Sequence, residues 1–292
     1  MAEKISWKSW LILLTLSLVW GSSFILIKKG LAVYSPVQVA YMRLSFSALA
    51  FFPIFLIRFK KIDWKQWKYL LIVGLAGSAI PAFLFSTAQT QINSSVAGLL
   101  NSLTPLFTLV LGMLLFGVSA GWYKIGGVLV GLLGAASLIF FQSSNDLGGN
   151  NLFGLLIVAG TVCYGTSANT VGAFLKNMKS LDISAASFFL VGWWMPFALL
   201  LGTDFTTKLA EVEGAVLAMS YILILALFGT VLASLIFFYL IQQTSAIFAS
   251  MITYLMPVVA LIWGVLDGEG IAWVHFFGMG LILFGVYLVR RN

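Results

Sequence analysis

The chain has 292 residues, of which 61% are hydrophobic and only 9% charged, with a mean hydropathy of +1.05; a water-soluble domain carries roughly 25% charged residues, so a soluble globular fold is excluded. The formal charge of +7 could suggest nucleic acid, but its distribution along the chain has a simpler cause, given below. A single cysteine and a single histidine leave no internal disulfide and no soft-ligand metal cluster.

Apolar runs of about 20 residues, the length that spans a bilayer as a helix, recur throughout, whereas the alternating ~10-residue segments of a membrane β-barrel do not. The expected fold is an all-α polytopic membrane protein with ten transmembrane helices. Met1–Lys8 is short and basic, and apolar Trp10–Ile27 follows. No small-residue cleavage site comes after it, so the segment is read as helix 1, ended by Lys28, Lys29 and Gly30. Helix 2 covers about 36–57 and carries one internal charge, Arg43. The basic loop 58–68 leads to helix 3 (67–88), a tight turn at 89–93, and helix 4 (94–116). Helix 5 (122–141) contains Gly126, Gly127, Gly131 and Gly134, small residues that let membrane helices approach closely. The polar loop 142–151 separates two halves, residues 1–144 and 145–292. Helices 6 (152–174) and 7 (183–201), an acidic loop at 202–213, and helices 8 (214–240), 9 (246–266) and 10 (271–289) complete the count. Cys163 lies in an apolar segment and reads as a small core residue.

The halves are related. Tyr69–Pro105 aligns without a gap to Tyr221–Pro257, with ten of 37 positions identical, among them Tyr69/Tyr221, Gly77/Gly229, Phe85/Phe237, Gln91/Gln243 and Pro105/Pro257. Trp20-Gly21-Ser22-Ser23 corresponds to Tyr164-Gly165-Thr166-Ser167, Pro53 to Pro196, and Trp122 and Gly134 to Trp273 and Gly285. Five helices per half is an odd number, so the second half enters the membrane from the opposite side: an inverted repeat, the arrangement associated with alternating access around a site near mid-membrane. With the N-terminus inside, the inner segments hold Lys4, Lys8, Arg58, Lys60, Lys61, Lys65, Lys68, Lys124, Lys176, Lys179, Arg290 and Arg291, and the outer ones only Lys28, Lys29 and Lys208. This bias places both termini in the cytoplasm. The basic surplus orients the protein against anionic headgroups, and nucleic acid is not needed as a partner.

Trp-Gly-Ser-Ser-Phe (Trp20–Phe24) leading to Lys28, the arginine in Tyr41-Met42-Arg43-Leu44, and the Pro105 and Pro257 helices each followed by a glycine-rich final helix resemble the drug/metabolite transporter superfamily, in its ten-helix EamA-type branch. The resemblance covers essentially the whole chain. It implies a transporter of small metabolites in a plasma membrane, the inner membrane in a bacterium. Related members move amino acids, sugars, nucleotide sugars or drugs, and the nearest resemblance is to YddG-like exporters of amino acids. The four-helix multidrug branch carries a glutamate in helix 1; this chain has none there, which argues against proton-coupled cation export.

Candidate substrate-binding residues are polar or aromatic groups expected to face a central cavity: Trp20, Ser23, Asn101, Tyr164, Asn169, Thr253 and Tyr254. Pro105 and Pro257 free a carbonyl about four residues upstream, near Asn101 and Thr253. That carbonyl either meets a substrate amine or is taken by a neighbouring hydroxyl. Arg43 either binds a substrate carboxylate, snorkels, or caps a broken helix. Lys28 is a charge anchor or a boundary marker, and His275 a proton site or a structural residue. Trp193 and Trp194 are read as lipid-facing or packing residues. No Asp or Glu is expected inside a helix, which favours facilitated diffusion or exchange over proton coupling. There is no phosphate-binding Gly-Lys-Ser/Thr motif, so neither ATP nor an ATPase subunit is implied, and no cofactor or metal is expected. An intramembrane enzyme would need a His, acidic, Cys or Ser/Lys constellation at one depth, and none is found. A lipid flippase or membrane scaffold is the alternative that explains the aromatics and glycines without a solute cavity.

Overall fold

The computed structural model describes residues 7–117, 121–141, 151–270 and 272–290, and among these it contains helices and turns but no strand. In chain order the helices are α1 (Trp7–Leu31), α2 (Pro36–Lys61), α3 (Trp64–Ala88), α4 (Ser94–Phe116), α5 (Trp122–Phe141), α6 (Gly154–Phe174), α7 (Ser180–Gly202), α8 (Ala215–Gln243), α9 (Ala246–Leu266) and α10 (Trp273–Arg290). All except α5 and α10 are long and apolar enough to cross a membrane; those two carry the shorter apolar stretches Ile125–Leu138 and Trp273–Gly285. The protein is therefore an integral membrane protein. The boundary at 144/145 lies outside the described residues.

Two expectations are corrected. The acidic loop after α7 contains a short helix, Phe205–Glu211. Helix α7 begins at Ser180 rather than 183, so Asp182 sits within its first turn, where it is buried. A carboxylate is tolerated there because Arg58, at the end of α2, grips both of its oxygens, with Nη2 2.8 Å from Oδ2.

Lipid is the solvent for the outer surfaces, so the exposed residues are apolar. On α1, Trp7, Leu11, Leu14 and Leu18 face outward at helical spacing, and Trp193 and Trp194 on α7 are exposed. Successive helix ends meet on two faces. On one face the Tyr34 hydroxyl donates to the Ala215 carbonyl (3.0 Å), Gln38 donates to Asp204 (2.8 Å), and Lys28 reaches Asp267 and Glu269. On the opposite face Arg58 meets Asp182, and Gln242 donates to the Leu175 and Met178 carbonyls. All three lysines of the first face are paired: Lys28 with Asp267 and Glu269, Lys29 with Asp267, and Lys208 with Asp204 at 3.6 Å.

Glycines set the closest approaches. Helices α5 and α10 pack along each other, and a Cβ on Gly134 would lie 2.8 Å from the Gly278 carbonyl oxygen, one on Gly285 2.5 Å from that of Gly127. Helices α3 and α8 are each interrupted by a π segment, Leu75–Ala79 and Leu225–Leu232. The corresponding glycines of the two halves, Gly77 and Gly229, lie inside them. Hypothetical Cβ atoms there would meet Ser167 Oγ at 2.6 Å and Ser23 Oγ at 2.9 Å, a pair that also corresponds between the halves. Each missing side chain thus lets a first-of-half helix, α6 or α1, lie against the altered turn.

Candidate functional site: a cavity between corresponding helices

The helices surround a cavity of about 90 Å³, several times the ~10–15 Å³ that a single water needs by the same kind of measure. Its lining comes from α1, α2, α3, α4, α6, α8 and α9. Seven pairs of lining residues are corresponding positions of the two halves: Trp20 with Tyr164, Ser23 with Ser167, Gly77 with Gly229, Ser78 with Thr230, Phe85 with Phe237, Asn101 with Thr253, and Thr104 with Met256. The aromatic contacts repeat as well. Trp20 packs against Phe237 (centroids 5.0 Å) and Tyr164 against Phe85 (5.7 Å).

The breaks before Pro105 and Pro257 lie at this cavity. Helix α4 is interrupted after Asn101 and resumes at Thr104, and α9 tightens into a 3₁₀ turn over Met251–Tyr254. The freed carbonyls are not open to a substrate. That of Asn101 accepts the Thr104 hydroxyl (2.8 Å), and that of Thr253 accepts the Ser102 hydroxyl (2.9 Å). Hydroxyl capping is the cheaper solution, since an unmatched carbonyl in hydrocarbon costs several kcal/mol. The Asn101 side chain is less well served. Its Nδ2 faces the Met256 sulfur at 3.7 Å, and its buried Oδ1 has no partner among the described residues.

Arg43 lies in the body of α2, buried, and lines the cavity, so it does not snorkel. Its Nε donates to Thr230 Oγ1 (2.9 Å), which in turn lies 3.3 Å from the Leu225 carbonyl in the π segment of α8. The Tyr164 side chain is close enough to interact with the guanidinium. Among the described residues no carboxylate lies within ion-pair distance of it. Trp20 Nε1 donates to the Gly229 carbonyl at 2.7 Å, so two side chains from α1 and α2 hold the altered turn. Trp20→Phe keeps the ring and removes this donor. It is expected to destabilise the protein by about 1 kcal/mol, read as a lower melting temperature in detergent.

The remaining candidates lie elsewhere. Asn169 is buried beside the cavity lining but donates to the Thr108 (2.8 Å) and Gly165 (3.0 Å) carbonyls, tying α6 to α4. Pro105 and Pro257 are buried without lining the cavity. The Tyr254 side chain lies outside the described residues. Lys28 belongs to the ion-paired face. His275 caps the start of α10, its Nδ1 2.8 Å from the Ala272 N–H, and its buried Nε2 has no partner among the described residues. Neither of these two lines the cavity. Sequence reasoning missed Thr230, Phe85 and Phe237. The last two are identical positions of the aligned halves, and Thr230 directly follows the matched Gly229, so the signal was present. Among the described residues no three metal-ligating side chains come together.

The EamA-like transporter family matches residues 7–140 and 152–291. The chain belongs to that family. An uncharacterized inner membrane transporter of Escherichia coli K12, YedA, is 27% identical over 280 residues, covering 95% of this chain and 89% of its own. An uncharacterized transporter of Archaeoglobus fulgidus is 26% identical over 286 residues, 98% of this chain and 99% of its own. The transporter YetK of Bacillus subtilis is 30% identical over 228 residues, 75% and 67% of the two chains. A solved crystal structure superposes on 97% of this chain and 96% of its own with a TM-score of 0.66 at 16% identity, a likeness of fold alone. This EamA-type protein is thus a membrane transporter of small solutes.

Proposed function

We propose that this transporter carries amino acids or closely related metabolites by alternating access between two inverted five-helix halves, residues 1–144 and 145–292. The observation that carries the reading is the cavity lined by corresponding residues of both halves. A site on the relating axis is reached equally from either side when one half rocks against the other. The two stretches matched by the family support the division. Helix α5, with 20 residues, and α10, with 18, are about 30 and 27 Å long at 1.5 Å per residue, long enough to complete ten spans of a ~30 Å hydrocarbon core.

Sidedness follows from charge. The face bearing Lys28, Lys29 and Lys208 holds few basic residues compared with the Arg58 side, which supports a cytoplasmic position for the opposite face. The inner-membrane name of the YedA relative supports a plasma-membrane location. Export is the direction that the YddG-like resemblance implies. Among the described residues no acidic one lines the cavity, which supports facilitated diffusion or exchange.

Purified protein in lipid vesicles, loaded with labelled aromatic and aliphatic amino acids, a sugar or a cationic drug, tests this. Saturable amino-acid efflux independent of a pH gradient is the expected result. Efflux only under a proton gradient would overturn the uncoupled mechanism, and silence for every solute would favour a lipid flippase or scaffold.

A further inference from the structure

The geometry points to a substrate that presents a carboxylate to Arg43 and a hydrogen-bond donor, such as an ammonium, to Asn101 Oδ1, with its apolar side group against the aromatic walls. This rests on the transporter reading and names the chemistry of its site. A buried guanidinium normally has an acid within reach, because an unbalanced charge away from water is among the costliest arrangements a protein can hold. Two other buried or half-buried charge clusters among the described residues obey that rule: Arg58 has Asp182, and Lys28 has Asp267 and Glu269. Among the described residues Arg43 has only neutral side chains beside it, with Nε donating to Thr230 and Tyr164 also within reach of the guanidinium. The remaining N–H groups of its fork match a carboxylate's two oxygens.

The second observation is independent. Asn101 lines the same cavity, and its buried Oδ1 accepts no hydrogen bond among the described residues. An orphan acceptor and an unbalanced cation in one chamber are satisfied together by a zwitterion. Trp20, Phe24, Phe85, Tyr164, Phe237 and Phe238 supply aromatic wall, which suits an apolar or aromatic side group. Asymmetry marks the orientation: Arg43 in α2 aligns with Ala186 in α7, so only one half offers the cation.

The test uses the full chain in vesicles with four probes: L-phenylalanine, its amide, phenethylamine and 3-phenylpropionate. Wild type is expected to move phenylalanine at least about 10-fold better than the amide or the amine, since a site built for a charged group rejects analogues lacking it. R43Q is expected to raise the KM for phenylalanine by about 10-fold or more and to abolish its preference over the amide. Asn101→Leu is expected to raise the KM for phenylalanine and leave that for 3-phenylpropionate unchanged. Should R43Q fail to fold, R43K keeps the charge without the fork: a raised KM for the acid supports the inference, and an unchanged one overturns it. Equal wild-type flux of acid and amide overturns the inference while leaving the transporter standing. Failure to move or bind any probe or other solute overturns both.

Discussion

Glu269→Ala is expected to lower the stability of the folded protein by about 3 kcal/mol, toward the low end of what truncating one side of a buried ion pair costs. The Glu269 carboxylate is 2% exposed. One oxygen accepts the Ser94 N–H (3.0 Å) and hydroxyl (2.7 Å), and the other the Ser95 N–H (3.0 Å) and hydroxyl (2.7 Å). These are the first amides of α4, so the carboxylate caps that helix from the α9–α10 turn and meets the positive end of its dipole. Lys28 completes the set at 2.8 Å. Lys28→Met should cost less, because the lysine is about one-third exposed and the four serine bonds survive. Melting of the purified variants checks the order; Lys28→Met as damaging as Glu269→Ala would show that the ion pair and not the cap dominates.

The same cluster gives a pH dependence. Burial pushes the Glu269 carboxyl up, but hydrogen bonds from Lys28, Ser95 and Ser94 outweigh it and hold the group below its usual 4.5. Hydrogen bonds from Lys28 and Lys29 hold Asp267 below its usual 3.8. A depressed carboxylate contributes stability that is present above the unfolded value and lost as pH falls through the folded one. The loss is therefore confined to acid below about pH 4.5, and Glu269→Ala should flatten part of that fall.

The second large effect is at the α5–α10 seam. Gly285→Ala places a methyl 2.5 Å from the Gly127 carbonyl oxygen and 2.6 Å from the Gly131 nitrogen. Both are backbone atoms and cannot step aside as a side chain can, so the helices must separate. An overpacking cost of about 1–3 kcal/mol is expected for alanine, and Gly285→Leu should leave little monodisperse protein. Gly280→Leu on the same helix and Gly126→Leu on α5 meet open space and are expected to be tolerated. Equal elution profiles for Gly285→Leu and Gly280→Leu would contradict this packing.

Much of this was legible in the sequence because hydrocarbon is an unforgiving solvent. Apolar runs gave the helices, and the matched Gly77/Gly229 and Pro105/Pro257 marked the altered turns. Not every glycine obeyed one rule. Gly134 lies on the seam as expected of helix 5, Gly131 faces Leu106 of α4, and Gly126 faces open space. The π segments were not legible, since an extra residue in a turn shifts every later side chain round the helix while leaving composition unchanged. The candidate residues divided by rotation. Trp20, Ser23, Arg43, Asn101, Tyr164 and Thr253 all line the cavity. Asn169, five residues beyond Tyr164, turns to the α4 backbone instead. The capped carbonyls of Asn101 and Thr253 depended on where Ser102 and Thr104 point, which spacing alone does not fix.

The pairing of Lys28 and Lys29 bears on how the chain assembles. Lys208 finds its acid four residues away, so that pair forms within one hairpin as it emerges. The partners of Lys28 and Lys29 are 238 to 241 residues later, on the last hairpin to be synthesised. Lys28 and Lys29 therefore lack these partners until α9 and α10 have been made. The closing hairpin neutralises the first helix and caps α4 with the same short turn. A chain truncated after α8 would lack both, leaving Lys28 and Lys29 unpaired and the start of α4 without its cap.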